Sequence, residues 1–473
     1  MPAIVADPER LDRDLLRLMG VLVVGAAVAL LDTTIVSVAI EDLTRAFSTT
    51  VATAQWATTG YLLGMAAAIP MMGWLTDRWG PRRVWLGTLW LFLLGSVSCA
   101  SAWSIESLIV FRVMQGVGGG LILPLVHAVL VSAAGPRRLG RVMGLVGIPG
   151  QLAPILGPIL GGVVLGSFGW RWIFLVNLPL CLIALVLAFH HLHVPDHRTR
   201  VRLDLVGALL LIPSTVAILA GLSAAGEWAT KPGRAVALLA GGTLLLCGFV
   251  LHARRLGHLA LIDVRLLRHR SFALATVAMF LAGVCLYGPM LLLPLFYQQG
   301  RGVEVTEVGL LLAPQGIGMM AALWAAGRWT DQTGPRSVAV AGVLLAGGGT
   351  AVFVVASDTP LTVLSAALVS LGAGLGAIGV AVGATSYRDV EAAAVPRATS
   401  LLHVAQRIGA SFGTVVIAFV LQRELSTTRP QASQAFVLEA FEDAFSWTLG
   451  FLVVVLLVVI LLPAKPPTSP IPN

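Results

Sequence analysis

Asp32 puts a carboxylate inside the first long apolar run of the chain, residues 18–40. An Asp at the centre of a membrane helix costs about 2.5–3.5 kcal/mol, so it needs a wet cavity or a polar partner. Every other Asp and Glu falls in or beside a segment that reads as a loop. A packing role, with Asp32 bonded to Thr33, Thr34 or Ser37, is one reading; a protonatable coupling site is the sharper one. Only two cations fall within apolar runs, Arg112 and Arg407. A carboxylate that alternates between a cation's company and an apolar setting can load and release a proton, so Arg112 is the candidate partner of Asp32. His127 and His403 are further relay candidates, and His403 and Arg407, four residues apart, share a helix face.

The elements that must carry these groups follow from composition. A chain that is 57% apolar, 11% charged and +0.90 in mean hydropathy lacks the polar surface of a water-soluble fold. Runs of about 20 apolar residues cross roughly 30 Å of hydrocarbon as helices, and none alternates like a barrel strand. The expected spans are 18–40, 52–72, 84–102, 107–129, 142–165, 172–189, 205–223, 235–251, 272–297, 307–326, 338–356, 361–385, 398–421 and 445–462. The expectation is thus an all-α polytopic membrane protein with 14 transmembrane helices. The charged residues before the first run and the lack of a small-residue cleavage site make that run an uncleaved helix. Most of the 31 Lys and Arg fall in alternate loops on the side of the N-terminus, which puts both termini in the cytoplasm and Lys231 outside.

The four cysteines lie inside spans without metal spacing, so neither a disulfide framework nor a metal site is expected. The net charge of +8 is spread through short loops and gives no nucleic-acid face. No nucleophile–base arrangement or phosphate-binding loop marks an enzyme or an ATP-driven pump, no cofactor is implied, and no filter segment marks a channel.

A twelve-residue pattern occurs twice. Gly73, Thr76, Asp77, Gly80, Pro81, Arg82 and Val84 recur as Gly327, Thr330, Asp331, Gly334, Pro335, Arg336 and Val338, with Arg78 and Arg83 replaced by Gln332 and Ser337. Each copy falls between the second and third helices of a six-helix unit, which implies two related halves. The expected units are 1–190, a six-helix bundle; 191–270, a linker with two extra helices; 271–463, a second six-helix bundle; and 464–473, a Pro-rich cytoplasmic tail.

The stretch from Gly73 to Val84 resembles the cytoplasmic loop motif of the major facilitator superfamily. Arg112-Val-Met-Gln115-Gly116 through Gly120 is similar to the family's fourth-helix segment, and Gly157-Pro158-Ile-Leu-Gly161-Gly162 to its antiporter motif. Asp32 sits where the fourteen-helix drug/proton antiporter family (EmrB/QacA-like) carries its acidic residue, and Trp170 through Pro179, with Asn177, resembles another segment of that subgroup. Ser37 and Ile40 depart from its usual Asn and Pro. The resemblance implies a major facilitator fold, proton-coupled efflux by alternating access, and a gate in which Asp77 holds the outward-facing state through an arginine pair and a helix end of the other half. Gln332 suggests a weaker second-half network.

Gln55, Trp56, Tyr61, Gln151, Tyr287, Gln315, His403 and Arg407 are the expected walls of the substrate cavity. Sparse polar groups among Met, Leu and Phe suit hydrophobic or amphiphilic compounds better than sugars. Export of a dedicated metabolite, antibiotic or lipid by the same mechanism is the alternative. The expected setting is a bacterial inner membrane, with protons, lipid and a small amphiphile as partners and a monomer as the working unit.

Overall fold

A computed structural model of the chain describes residues 12–135, 138–192, 194, 202–225, 232–357, 359–388, 390–391, 394–426 and 434–464. Lys231, the first residues of the N-terminal unit, part of the 191–270 linker and nearly all of the Pro-rich tail lie outside the described residues.

The N-terminal helices are α1 (Arg13–Ile35), α2 (Ile40–Ala46), α3 (Val51–Ala54), α4 (Trp56–Ala68), α5 (Met72–Trp79), α6 (Pro81–Ala100), α7 (Ile105–Ala134), α8 (Leu139–Phe168), α9 (Trp170–Leu175) and α10 (Asn177–His191). Two helices follow, α11 (Leu205–Ala225) and α12 (Pro232–Leu256). The C-terminal helices are α13 (Arg270–Leu295), α14 (Val305–Thr333), α15 (Pro335–Val354), α16 (Leu361–Ser386), α17 (Val395–Ser426) and α18 (Gln434–Ile460). No strand occurs among the described residues.

Twelve helices among the described residues are long and apolar enough to cross a membrane. The expected count of 14 exceeds this because two segments do not qualify. One is α4, separated from α5 by a 3-10 turn over Ile69–Met71 that contains Pro70. The other is α8, whose described apolar stretches are the shorter Leu139–Ile148 and Ile159–Phe168.

The repeated motif is a helical joint and not a loop. Gly73 to Trp79 continues as α5, Gly80 alone breaks the chain at φ +79°, and Pro81 opens α6. The second copy repeats this with Gly334 at φ +92° between α14 and Pro335 of α15. A positive φ is costly for any residue with a Cβ, and proline is well placed at the first helical position, where no backbone N–H is needed.

Packing follows the repeat. α4 and α6 flank α7, and α14 and α15 flank α16 in the same way. Glycines let these backbones meet: Gly116 and Gly120 face the main chain of Tyr61 and Met65, and Gly372 and Gly376 face that of Gln315 and Met319. Small residues have this role where lipid offers no hydrophobic drive for association. Between the two groups, α8 lies along α14, while α17 meets α5 and α7. Asp12, the N-cap of α1, accepts from Arg138 at 2.9 Å, so α1 begins at the end of the molecule where α8 begins.

Candidate functional site

Three helices converge on Asp32 of α1. α7 contributes Arg112 and, one turn on, Gln115; α6 contributes Ser96 and α10 contributes Asn177. Arg112 Nη1 donates to Asp32 Oδ2 at 2.6 Å and to Gln115 Oε1 at 2.7 Å. Asn177 Nδ2 and Gln115 Nε2 donate to Asp32 Oδ1 at 2.7 and 3.0 Å. Ser96 Oγ accepts from both amides at 3.0 and 3.2 Å and donates to the Phe174 carbonyl at 2.8 Å. Arg112 Nε donates to the Ala57 carbonyl at 3.0 Å, and its guanidinium lies 4.1 Å from the Tyr61 ring centroid.

Asp32 and Arg112 are both 0% exposed, so the pair is sealed inside the N-terminal helices instead of facing an open cavity. Thr33 and Thr34 donate to carbonyls of their own helix, at Leu30 and Leu31, and so leave Asp32 to Arg112 and the two amides. Such a cluster is charge-balanced as a whole, and breaking a buried pair by removing one member costs about 3–5 kcal/mol.

The stretch from Gly157 to Gly162 supports this cluster from α8. A Cβ on Gly157 would lie 2.7 Å from Thr34 Cβ, and one on Gly161 would lie 3.0 Å from Ile35 Cγ1. Thr34 Oγ1 also donates to the Ala153 carbonyl at 3.0 Å. These two glycines therefore let α8 lie against the turn that follows Asp32, immediately before α1 gives way to a 3-10 turn at Val36–Ala39. Gly162 has open space where a Cβ would project. Gln151 and Pro158 are on α8, but their side chains lie outside the described residues.

The two motif aspartates reach across the molecule. Asp77 Oδ2 accepts from Arg397 Nη2 of α17 at 2.8 Å. Asp331 Oδ1 and Oδ2 accept the backbone N–H groups of Gly140 and Arg141, at 2.8 and 3.2 Å, with Arg141 Nε 3.6 Å away. The first aspartate thus meets a guanidinium and the second meets the N-terminus of α8, whose free amides and dipole favour an anion. Burial raises the Asp77 carboxyl above its ordinary value, and the Arg397 charge opposes that rise.

The first glycine of each motif makes room for the opposite group. A Cβ on Gly73 would lie 2.7 Å from Arg397 Cγ, and one on Gly327 would lie 2.9 Å from the Gly140 carbonyl oxygen. The arginine that meets Asp77 is therefore Arg397, not one of its own motif. Arg78 and Arg83 are exposed, and Arg82 donates to the Phe189 carbonyl at 2.7 Å. Gln332 is exposed, and Arg336 is half-buried at the start of α15.

A cavity of about 190 Å³ lies between α7 and α8 on one side and α13, α14, α16 and α17 on the other. His127 Nδ1 and His403 Nε2 meet at 3.1 Å on its wall, beside Gln406 and Tyr387. Among the described residues no Asp, Glu, Lys or Arg lines it. Of the seven expected wall residues whose side chains are described, His403 alone does so. Tyr61 is 0% exposed, packed against Gly116 and Gly119 with the Arg112 guanidinium over its ring. Gln55 and Trp56 are exposed at the start of α4, and Tyr287, Gln315 and Arg407 are half-buried without lining this cavity.

Sequence reasoning names neither Arg397 nor the roles of Ser96, Gln115 and Asn177. Polarity within apolar runs singles out the last three, and Gln115 and Asn177 also stand inside the quoted motifs. No such signal marks Arg397.

A family model for the Major Facilitator Superfamily matches residues 22–414 and, in a second alignment, 276–473. The chain is similar to a "Multidrug resistance protein B homolog" of Mycobacterium tuberculosis, 40% identical over 88% of this chain and 77% of that protein. It is similar in structure to the human organic anion transporter MFSD10, with TM-score 0.65 and 15% identity over 95% of this chain and 100% of that one. A similar match is to the proton:xylose symporter XylE, with TM-score 0.62 and 14% identity over 93% and 96%. At these identities the two structures speak for the fold alone.

Proposed function

The chain belongs to the major facilitator superfamily, a multi-pass membrane transporter of small molecules, and from that premise we propose that it is a proton-coupled exporter of hydrophobic or amphiphilic compounds. The observation that carries this reading is the sealed cluster in which Asp32 meets Arg112, Gln115 and Asn177. Protonating Asp32 forfeits its pairing with Arg112 and releases the guanidinium, so proton binding is tied to the packing of α1 against α7. Export of drugs is supported by the printed name of the mycobacterial relative.

In this reading the chain is of the fourteen-helix antiporter type, with α4 through Met72 and α8 completing the spans. Its units are 1–190, 191–270, 271–463 and a tail at 464–473, and it works as a monomer in the inner membrane. Both termini and the two motif joints are cytoplasmic, as the arginine distribution favours. The Asp77–Arg397 and Asp331–α8 contacts then close the cytoplasmic end, and alternating access proceeds by rocking of the two bundles around the cavity. The test is efflux from proteoliposomes with an imposed pH gradient, screened over amphiphilic compounds. Gradient-driven transport is expected for wild type and lost in Asp32→Asn; efflux of every substrate in the absence of a gradient, at an unchanged rate, overturns proton coupling.

A further inference from the structure

The end of α12 and the linker to α13 border a second, half-open cavity of about 600 Å³, apart from the one between the two helix groups. Its walls carry Arg254 from the last turn of α12 and Arg265 and Arg268 from the 3-10 segment Val264–Arg268, set among Val250, Val264 and Leu267. All three arginines are exposed. Among the described residues no carboxylate lines the cavity or forms an ion pair with them; Asp263, next in the chain, accepts the backbone N–H of Arg265 at 2.9 Å.

Three guanidiniums above apolar walls, at the end of a membrane-length helix, are complementary to one kind of molecule: phosphate at the head and hydrocarbon below. Val250 and Val264 also belong to a cluster in which Ala260, Leu261 and Ile262 pack with Met71 and Trp74. The cavity is therefore on the same end of the molecule as the Asp77–Arg397 contact.

We propose that this cavity binds an anionic phospholipid of the cytoplasmic leaflet, with Arg254, Arg265 and Arg268 on the phosphate and Val250, Val264 and Leu267 on the first part of the acyl chains. The leaflet rests on the cytoplasmic placement of the motif joints given above. The site itself does not, because it would take the same lipid from either leaflet.

The test uses the full chain in nanodiscs and in detergent. Native mass spectrometry counts phosphatidylglycerol retained after exchange against phosphatidylcholine. Wild type is expected to keep phosphatidylglycerol in preference. R254Q/R265Q/R268Q should weaken its binding on the order of 100-fold, from about fivefold per arginine near a membrane surface. R254K/R265K/R268K keeps the charge and should keep most of the binding, which separates lost lipid from lost folding; R13Q/R17Q should leave it unchanged. Equal retention by the triple-Gln variant and wild type overturns the proposal, as does displacement by phosphatidylcholine at equal concentration. Competition by inorganic phosphate or glycerophosphoglycerol as strong as by intact lipid would show a small-anion site and overturn the lipid assignment. Failure of efflux in vesicles with phosphatidylglycerol binding intact would count against the transport reading alone.

Discussion

Asp77 and Arg397 stand 320 residues apart in the chain and 2.8 Å apart in space. Gly73, one helical turn before Asp77, has no side chain where Arg397 Cγ passes, so the motif supplies both the acceptor and the room to reach it. Both members are mostly buried, with side chains 14% and 18% exposed, which screens the pair less than a surface bridge. A double-mutant cycle on Asp77→Ala and Arg397→Ala should show a coupling of about 0.5–3 kcal/mol. The readout is the population of the closed state, measured by distances between spin labels at positions 103 and 359, at the far ends of α6 and α15. Additive effects of the two substitutions would remove the pair from the gate.

Asp331 is expected to answer differently, because its main partners are backbone amides. It acts as an N-cap of α8 supplied from α14. Asn caps about as well as Asp, whereas Ala costs about 0.5–2 kcal/mol. Asp331→Asn should therefore shift the label distances less than Asp331→Ala. Equal shifts would mean that the charge near Arg141, and not the capping geometry, holds this contact.

The closed end should also respond to pH. Burial raises the Asp77 carboxyl in the closed arrangement, while an opened end would return it to water and to its ordinary value of 3.8. The closed state then binds the proton more tightly, so its advantage from this group is full below the ordinary carboxylate range and fades as pH rises through the raised value. Lowering the pH toward the ordinary carboxylate range should shift wild type toward closure. Asp77→Asn should lack that component; an identical titration in the variant would assign it to another group.

These contacts were unequally legible in the sequence. Asp32 and Arg112 stand out because charge is rare in an apolar run, and chemistry alone pairs them. The partners that complete the cluster are 83 and 145 residues from Asp32, distances that no helical period can report. Arg397 stands near the start of α17 and reads as one more basic flank of a span. The motif reads as a loop because Asp77, Arg78, Arg82 and Arg83 are polar. Yet it is helical on both sides of Gly80, the one position between Gly73 and Val84 with a positive φ. The cavity was least legible: Tyr61 looks like a wall residue until the guanidinium of Arg112 is seen to cover it.

The glycines of α8 at 157, 161 and 162 offer a comparison within one motif. Gly157→Ala and Gly161→Ala place a methyl against Thr34 and Ile35, so each should cost about 1–3 kcal/mol or displace α1. Gly162→Ala, with open space around it, should be neutral or gain up to about 1 kcal/mol from helix propensity. Thermal unfolding of the purified variants gives the order directly. A loss at Gly162 equal to that at Gly157 would mean that the motif acts through helix flexibility and not through its contact with α1.

The carboxylate of the buried cluster sets an expectation for stoichiometry. With Asp32 the one acidic group in the cluster, one proton should be exchanged per cycle, and Asp32→Asn should abolish coupling. One proton inward against one monovalent cation outward moves no net charge, so such efflux follows the pH gradient and is nearly blind to voltage. A neutral substrate instead moves one charge, worth about 2.3 kcal/mol per 100 mV. Reversal potentials measured with both kinds of substrate separate the cases. Arg112→Ala leaves the carboxylate buried without its counter-charge and should lower stability by about 3–5 kcal/mol, whereas binding of an anion directly by Arg112 would instead show as affinity lost in that variant and kept in Asp32→Asn. The cavity wall sharpens the choice: its polar groups are His127, His403, Gln406 and Tyr387, so a proton that still drives efflux in Asp32→Asn would be sought at the His127–His403 contact, with His127→Gln and His403→Gln as the deciding variants.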